Sequence, residues 1–253
     1  MRLDGRVAFV TGSSRGIGAA IARRLAADGA KLVLHASKSA EKAQAVADGI
    51  RGAGGCAHVV LGDLAEGETA SQVVRDAYAI YGALDIFVSN AGAPLGGLAV
   101  DVEVAAIDAT LALNLRAVML ATIEFARLTR SPHGRVILIS SASASQPAYN
   151  GAVYAAAKAG AEAFIRSAAQ ELGERGITLN SVEPGMTLSR EAPQAAIDKI
   201  ARWTALRRVG KPEDIADIVA FLASDDARWL TGLTIPATGG QIASATTIFA
   251  YDR

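Results

Sequence analysis

The amino-acid sequence predicts a doubly wound α/β domain, in which one parallel sheet carries helices on both faces. Three observations support this. Short apolar runs rich in Val, Ile and Leu alternate with longer Ala-rich helical segments, and such alternation implies right-handed βαβ crossovers. The runs are apolar continuously rather than at every second residue, as strands covered on both faces are. No linker, low-complexity segment or internal repeat interrupts the 253 residues, so one domain over 1–253 is expected.

Taken in order, "RVAFVT" reads as the first strand and leads into a helix at about 16–28. "KLVLHA" leads into a helix at about 39–53, and "AHVVLGD" into one at about 66–82. "LDIFVSNAG" precedes a long helical stretch at about 102–130, and "RVILISS" precedes a helix at about 153–174. "ITLNSVEPG" follows as the sixth strand, and a short seventh is expected near 233–236. The region 186–211 is the least regular; it contains Pro193 and ends in "GKPED". An insert of that kind near the end of a sheet predicts a substrate lid.

Composition narrows the function classes. The chain is 51% hydrophobic and 20% charged, enough for a filled core and outside the disordered range. Its 25 basic residues balance 25 acidic ones, which gives no overall attraction to nucleic acid or anionic lipid. Cys56 is the single cysteine, and His35, His58 and His133 lack ligand spacing, so neither a disulfide nor a metal site is expected. "MRLDGRVAFV" returns to charge too early for a signal peptide. The uncharged stretches 136–157 and 229–251 contain Pro, Gln and many Ser, Thr or Gly, unlike a membrane span. They are expected to be buried or interface segments of a cytoplasmic protein.

"VTGSSRGIGAAIARRLA" joins the first strand to the first helix and places Gly12, Gly16 and Gly18 in the spacing G-x-x-x-G-x-G. Such a turn lets a pyrophosphate approach the backbone, and the helix N-terminus offers it free amides and a positive dipole end. The same letters hold a rival, because "GSSRG" also fits the nucleophile elbow G-x-S-x-G with Ser14 as nucleophile. A hydrolase of that type needs a His after its acid, usually late in the chain, yet nothing after His133 can serve. The elbow would also fall on the first strand, with no earlier strand to build an oxyanion hole.

The second strand ends "LHASKSAEK", where a carboxylate for the ribose 2′-hydroxyl of NAD would stand. Arg15, Ser37 and Lys38 occupy the neighbourhood instead, and an Arg fork pairs bidentately with phosphate. NADP(H) is therefore the expected cofactor, with NAD(H) as the alternative. The alternative for Arg15 and Lys38, and more so for Lys38, is plain solvated surface charge.

"AVYAAAKAG" sets Tyr154 and Lys158 four residues apart among alanines. On a helix they share a face, with β-carbons about 5–6 Å apart. A cation at that range favours the phenolate and would bring Tyr154 towards a working acid/base. Tyr149 has Val153 at the equivalent distance. By itself the Y-x-x-x-K spacing occurs on many helices.

With "TGSSRGIG" (11–18), "GDL" (62–64), "NAG" (90–92), "NL" (114–115), "ISS" (139–141), "YAAAK" (154–158) and "PG" (184–185), the chain resembles the short-chain dehydrogenase/reductase family over essentially its full length. The resemblance implies a single-domain Rossmann fold of about seven strands. It also implies hydride transfer between a nicotinamide and a carbonyl or secondary alcohol. The catalytic set it implies is Asn114, Ser141, Tyr154 and Lys158. Ser141, thirteen residues before the Tyr, would hold the substrate oxygen, and Asn114 would hold a water in a proton relay to the lysine. The implied cofactor contacts are Gly12, Ser14, Arg15, Gly16, Ile17, Gly18, Ser37, Lys38, Asp63, Leu64, Asn90, Ala91, Gly92, Tyr154, Lys158, Pro184, Gly185 and Thr187. Without the resemblance, Asn114 reads as a cap or kink of its helix and Asp63 as a strand-end turn residue. Ser140, Ser143 and Ser145 read as loop polarity.

The nearest likeness within the family is to 3-oxoacyl-[acyl-carrier-protein] reductases and related ketoreductases. A dehydrogenase of a sugar, steroid or cyclic alcohol is the alternative, and an idle NADP-binding regulator is the alternative of another class. Arg127, Arg130 and His133 could attract an acidic carrier protein, or simply be a solvated helix end. The expected assembly is a homotetramer built on the helices at 102–130 and 153–174. Departures from the family pattern are Thr238 in "PATGG", Pro236 before it, and Ser189 two positions after Thr187. The last residues, "SATTIFAYDR", would be a tail or cover a partner's site.

Overall fold

The structure, a computed structural model, describes residues 2–94, 97–146, 149–188 and 193–241. Ser189 and the segment 244–253 lie outside them. Seven strands among the described residues form one parallel sheet: β1 (Val7–Val10), β2 (Lys31–Ala36), β3 (Ala57–Leu61), β4 (Ile86–Ser89), β5 (Arg135–Ile139), β6 (Thr178–Pro184) and β7 (Thr234–Ala237). Their order is β3-β2-β1-β4-β5-β6-β7. β1, β4 and β5 are buried at every position, as expected for strands covered on both faces. Pro236 sits on the edge strand β7, where a missing N–H costs least.

The helices are α1 (Gly16–Ala27), α2 (Ala40–Gly52), α3 (Thr69–Tyr81), α4 (Val104–Leu111), α5 (Ala117–Leu128), α6 (Ala152–Leu172), α7 (Gln194–Ala201) and α8 (Pro212–Ala223). Side chains of α1, α2 and α8 fill one face of the sheet around Ile21, Leu25 and Val219. Those of α3, α5 and α6 fill the other around Phe87, Phe125 and Ile165.

Three elements differ from the sequence expectation. The helix expected at 102–130 is divided by a π-helical turn, Ala112–Arg116, that carries Asn114. The region 186–211 contains α7, which starts directly after Pro193. Helix α8 was not expected, although its start is plainly encoded: Pro212 at the first position, then Glu213 and Asp214 towards the positive dipole end. Asp214 also accepts from the Lys211 amide at 2.7 Å, closing a capping box.

Val104–Leu128 is long and apolar enough to cross a membrane by length and composition, with mean hydropathy 1.6. It packs on α3, α6 and β4, and 28% of its most apolar window is buried.

Candidate active site

The connections wind in opposite directions on either side of β1 and β4, and that reversal opens a crevice at the carboxyl ends of the strands. A cleft of about 840 Å³ lies there. Gly12 turns the chain after β1 at φ +62°, and a Cβ on it would stand 2.9 Å from Ala91 Cα. A Cβ on Gly18 would stand 2.5 Å from Asn90 Nδ2 and from the Gly12 oxygen, so α1 packs here only without a side chain. Asn90 Nδ2 donates to the oxygens of Thr11 (2.9 Å) and Gly12 (3.1 Å). Thr11 Oγ1 in turn accepts from the amides of Asn90 (2.9 Å) and Ala91 (3.0 Å). The "NAG" segment is thus tied to the glycine turn.

His35 is buried beneath that turn. Its Nδ1 accepts the Gly12 amide at 3.2 Å, and its Nε2–H donates to the Gly62 oxygen at 3.0 Å. These contacts select one neutral tautomer, and burial holds the imidazole below its usual pKa. The residue that stands near the expected acid position therefore supports the turn from below. Nothing in the letters signals this, because it depends on β2 lying beside β1.

The reacting end is built by β5 against α6. Lys158 Nζ is buried and donates to the Ile139 oxygen at 2.9 Å, standing 5.9 Å from the centre of the Tyr154 ring. Burial pushes Lys158 down to about 8, partly opposed by the Glu162 charge. Ser141 Oγ accepts the Ser143 amide at 3.2 Å and hydrogen-bonds the Tyr154 hydroxyl. Here the expectation for Tyr154 needs correction. Burial raises its pKa above the ordinary phenol value, the Ser141 contact pulls the other way, and the Lys158 charge plays no resolved part. In the chain alone the phenol is a proton carrier, not a phenolate.

The cofactor contacts implied by the resemblance, from Gly12 to Thr187, all line this one cleft. Arg15 and Lys38 are exposed there. Asp63 Oδ1 accepts the Ala65 amide at 3.1 Å, and Thr187 Oγ1 donates to the Gly185 oxygen at 3.1 Å. Ser141, Tyr154 and Lys158 line the cleft as well, whereas Asn114 does not. Asn114 is fully buried behind the wall, where its Nδ2 donates to the oxygens of Ala93 and Thr110 (3.1 Å each) and its Oδ1 accepts the Ala93 amide at 3.3 Å. It thus clamps the segment after "NAG" to the π turn.

Gly92 is the link between these parts. A Cβ there would lie 2.8 Å from Asn114 Oδ1 and 3.1 Å from Lys158 Nζ. On the far side, Gly185 backs onto Thr238, whose Cα would stand 2.9 Å from an added Cβ. The backbone at Thr238 thus packs directly against the start of the loop leading to Thr187.

Several site features depend on tertiary contacts rather than on any local motif. Tyr149, which has no lysine partner, lines the mouth at 90% exposure together with Met186. Ser140 is not loop polarity: it is buried and donates to Glu162 Oε1. Ser145 Oγ donates to Glu183 Oε2 at 3.1 Å. At the helix end, Arg127 meets Glu124, Arg130 meets backbone oxygens and His133 meets Asp225, so these groups are engaged internally.

The Ser14 hydrolase reading finds no base. His35 is the imidazole on the cleft wall among the described residues, and the Gly12 amide and Gly62 oxygen occupy both its nitrogens.

Comparison with known proteins bears on this geometry. A family model described as Enoyl-(Acyl carrier protein) reductase matches residues 12–241. Versicolorin reductase of Emericella nidulans is 38% identical, over 94% of this chain and 96% of its own length. The 3-oxoacyl-[acyl-carrier-protein] reductase of Synechocystis is 35% identical, over 95% and 98%. The crystal structure of a short chain dehydrogenase from Burkholderia cenocepacia in complex with NADP superposes with TM-score 0.90 at 40% identity, over 95% of this chain and 99% of that one.

Proposed function

The chain belongs to the short-chain dehydrogenase/reductase family and is a nicotinamide-dependent oxidoreductase; from that premise we propose that it is an NADP(H)-dependent ketoreductase of the 3-oxoacyl reductase type. The observation that carries the reading is the meeting of Ser141, Tyr154 and buried Lys158 in the cleft that begins at the glycine turn.

The cleft suits the cofactor. No side chain caps the N-terminus of α1 and no acidic residue stands in its first turn, so its free amides and dipole are available to phosphates. Arg15, Ser37 and Lys38 line the cleft beside that turn without a carboxylate among them, which supports the 2′-phosphate of NADP. A bound nicotinamide would supply or accept the hydride at the carbonyl carbon.

The protein's own groups handle the oxygen and its proton. Tyr154, held protonated by burial, gives its hydroxyl proton to the developing alkoxide in reduction and recovers one in oxidation. Ser141 bonds the same oxygen as charge builds on it. Lys158, fixed by the Ile139 oxygen, places a positive charge behind the tyrosine, which stabilises the phenolate left after proton transfer. Asn114 holds Ala93, and with it the wall beside Lys158.

The Synechocystis relative supports a 3-oxoacyl substrate. Versicolorin reductase supports a second reading, reduction of a ring ketone. Either substrate would meet exposed Tyr149 and Met186, which line the cleft. We place the protein in the cytoplasm as a homotetramer. The exposed apolar side of Val104–Leu128 supports the association, and light scattering should give about four times the 26.0 kDa chain mass.

Tyr154→Phe tests the chemistry. Turnover with a ketone should fall by roughly 10²–10⁴ while NADPH binding measured by fluorescence stays the same. Near-normal turnover in this variant would remove Tyr154 from the mechanism.

A further inference from the structure

His35 ties together two segments of the cleft floor that belong to different strands. It stands on β2 beside Val60 of β3 and follows Leu34, the partner of Val10 on β1. On one side its Nδ1 accepts the Gly12 amide at 3.2 Å. On the other its Nε2–H donates at 3.0 Å to the oxygen of Gly62, the residue before Asp63. Gly12, His35 and Asp63 all line the cleft, although His35 is only 2% exposed. Its backbone is fixed as well: the His35 amide donates to Ser13 Oγ and the His35 oxygen accepts the Ser13 amide, each at 3.0 Å. Ser13 Oγ then donates to the Val10 oxygen at 2.9 Å. The ring has no room to withdraw while these bonds hold.

The two ring contacts are of opposite kind. Gly12 offers a donor and Gly62 an acceptor, so only the neutral ring with its proton on Nε2 satisfies both. A second proton, on Nδ1, would set one N–H against another and leave the Gly12 amide without its acceptor. Gly12 is not free to turn towards a new one. Its oxygen is held by Asn90 Nδ2 at 3.1 Å, and a Cβ on it would stand 2.9 Å from Ala91 Cα. Protonation of one buried ring therefore strains the turn on which the phosphates of a dinucleotide would rest.

The surroundings favour the neutral ring. β1 presents the edge of Phe9, with 6.4 Å between ring centres. Asp63, after β3, is the carboxylate that favours a proton on the ring, while Arg15 and Lys38 are exposed in the same cleft. Burial outweighs both the Gly62 oxygen and the Asp63 charge.

We infer that His35 is a positioning residue for the cofactor: its neutral Nε2–H form locks the glycine turn, and one proton on Nδ1 unlocks the turn and weakens nucleotide binding. This rests on the nicotinamide-cofactor reading of the cleft for its ligand, and on the hydrogen bonds alone for the tautomer.

The test has two arms on the full-length protein. In the first, calorimetry follows NADP+ binding from about pH 8 to about pH 5, with circular dichroism checking the fold at each point. The wild-type Kd should rise as the pH falls below about 6.5, by up to about tenfold per pH unit. The rise should be shallower in His35→Gln, whose amide offers an acceptor and a donor at every pH. Titration of the NADP+ phosphates is common to both proteins, so the difference in slope reports the ring. A ring that merely packs would leave the two curves parallel. In the second arm, ¹⁵N NMR at about pH 8 should find the His35 proton on Nε2. Spectra of His58→Gln and His133→Gln identify the His35 signals. Because linkage is reciprocal, saturation with NADP+ should lower the His35 pKa further.

Parallel curves, or a wild-type Kd that stays level across the range, overturn the link between the ring and the nucleotide. A proton on Nδ1 at about pH 8, or a His35 pKa that rises with NADP+, overturns the lock itself. Should His35→Gln not fold, the NMR arm decides alone. A wild type that binds neither NADP+ nor NAD+ at any pH defeats the cofactor reading, and NMR still decides the tautomer.

Discussion

Adding one methyl group at Gly92 perturbs the site most directly. The Cβ of Gly92→Ala would stand 2.8 Å from Asn114 Oδ1 and 3.1 Å from Lys158 Nζ. Lys158 ends a flexible chain and can retreat, at the expense of its bond to the Ile139 oxygen. Asn114 cannot retreat freely, because three hydrogen bonds to Ala93 and Thr110 fix its fully buried amide.

Each buried bond broken without a replacement costs about 1–3 kcal/mol. Losing one or two gives roughly 2–4 kcal/mol, and a chain of this size then melts about 5–15 °C lower. Displacement of the ammonium should lower ketone reduction by about 10²-fold. Gly49→Ala is the control: Gly49 lies inside α2 with nothing near its added Cβ, so it should gain about 0.5–1 kcal/mol. Thermal melting and NADPH oxidation followed at the nicotinamide absorbance read both effects. If Gly92→Ala melts and turns over like Gly49→Ala, the packing of "NAG" against Asn114 and Lys158 is wrong.

Two further outcomes follow from the same geometry. Arg15→Ala should raise KM for NADPH about tenfold and leave that for NADH unchanged, with a smaller effect from Lys38→Ala; equal changes for both cofactors would contradict the 2′-phosphate assignment. His35 is held below its ordinary pKa, so the unfolded chain binds a proton that the folded one refuses. Its contribution is therefore present above about pH 6.5 and lost as the pH falls below it, at up to about 1.4 kcal/mol per unit. His35→Gln keeps an acceptor and a donor but cannot titrate, so melting temperature should fall less steeply between about pH 6.5 and 5 than in the wild type.

Local patterns in the sequence determined the strands, because β1, β4 and β5 are built on unbroken apolar runs, VAFV, IFV and VILI. They determined the glycine turn and the shared helical face of Tyr154 and Lys158 for the same reason: each is fixed by spacing within one element. The start of α8 is equally local, written in Pro212 and the two acidic residues after it.

Tertiary structure alone decided the rest, since it depends on which residues from distant segments share a buried volume. His35 supports Gly12 only because β2 pairs with β1. Asn114 reaches Ala93 because a π turn breaks the helix there. Ser140 meets Glu162 across 22 residues because α6 returns over the sheet. The ionisation of Tyr154 follows the same division: its spacing from Lys158 is written in the chain, but burial sets the pKa. Desolvation depends on everything packed around a group, and no short stretch of letters contains that.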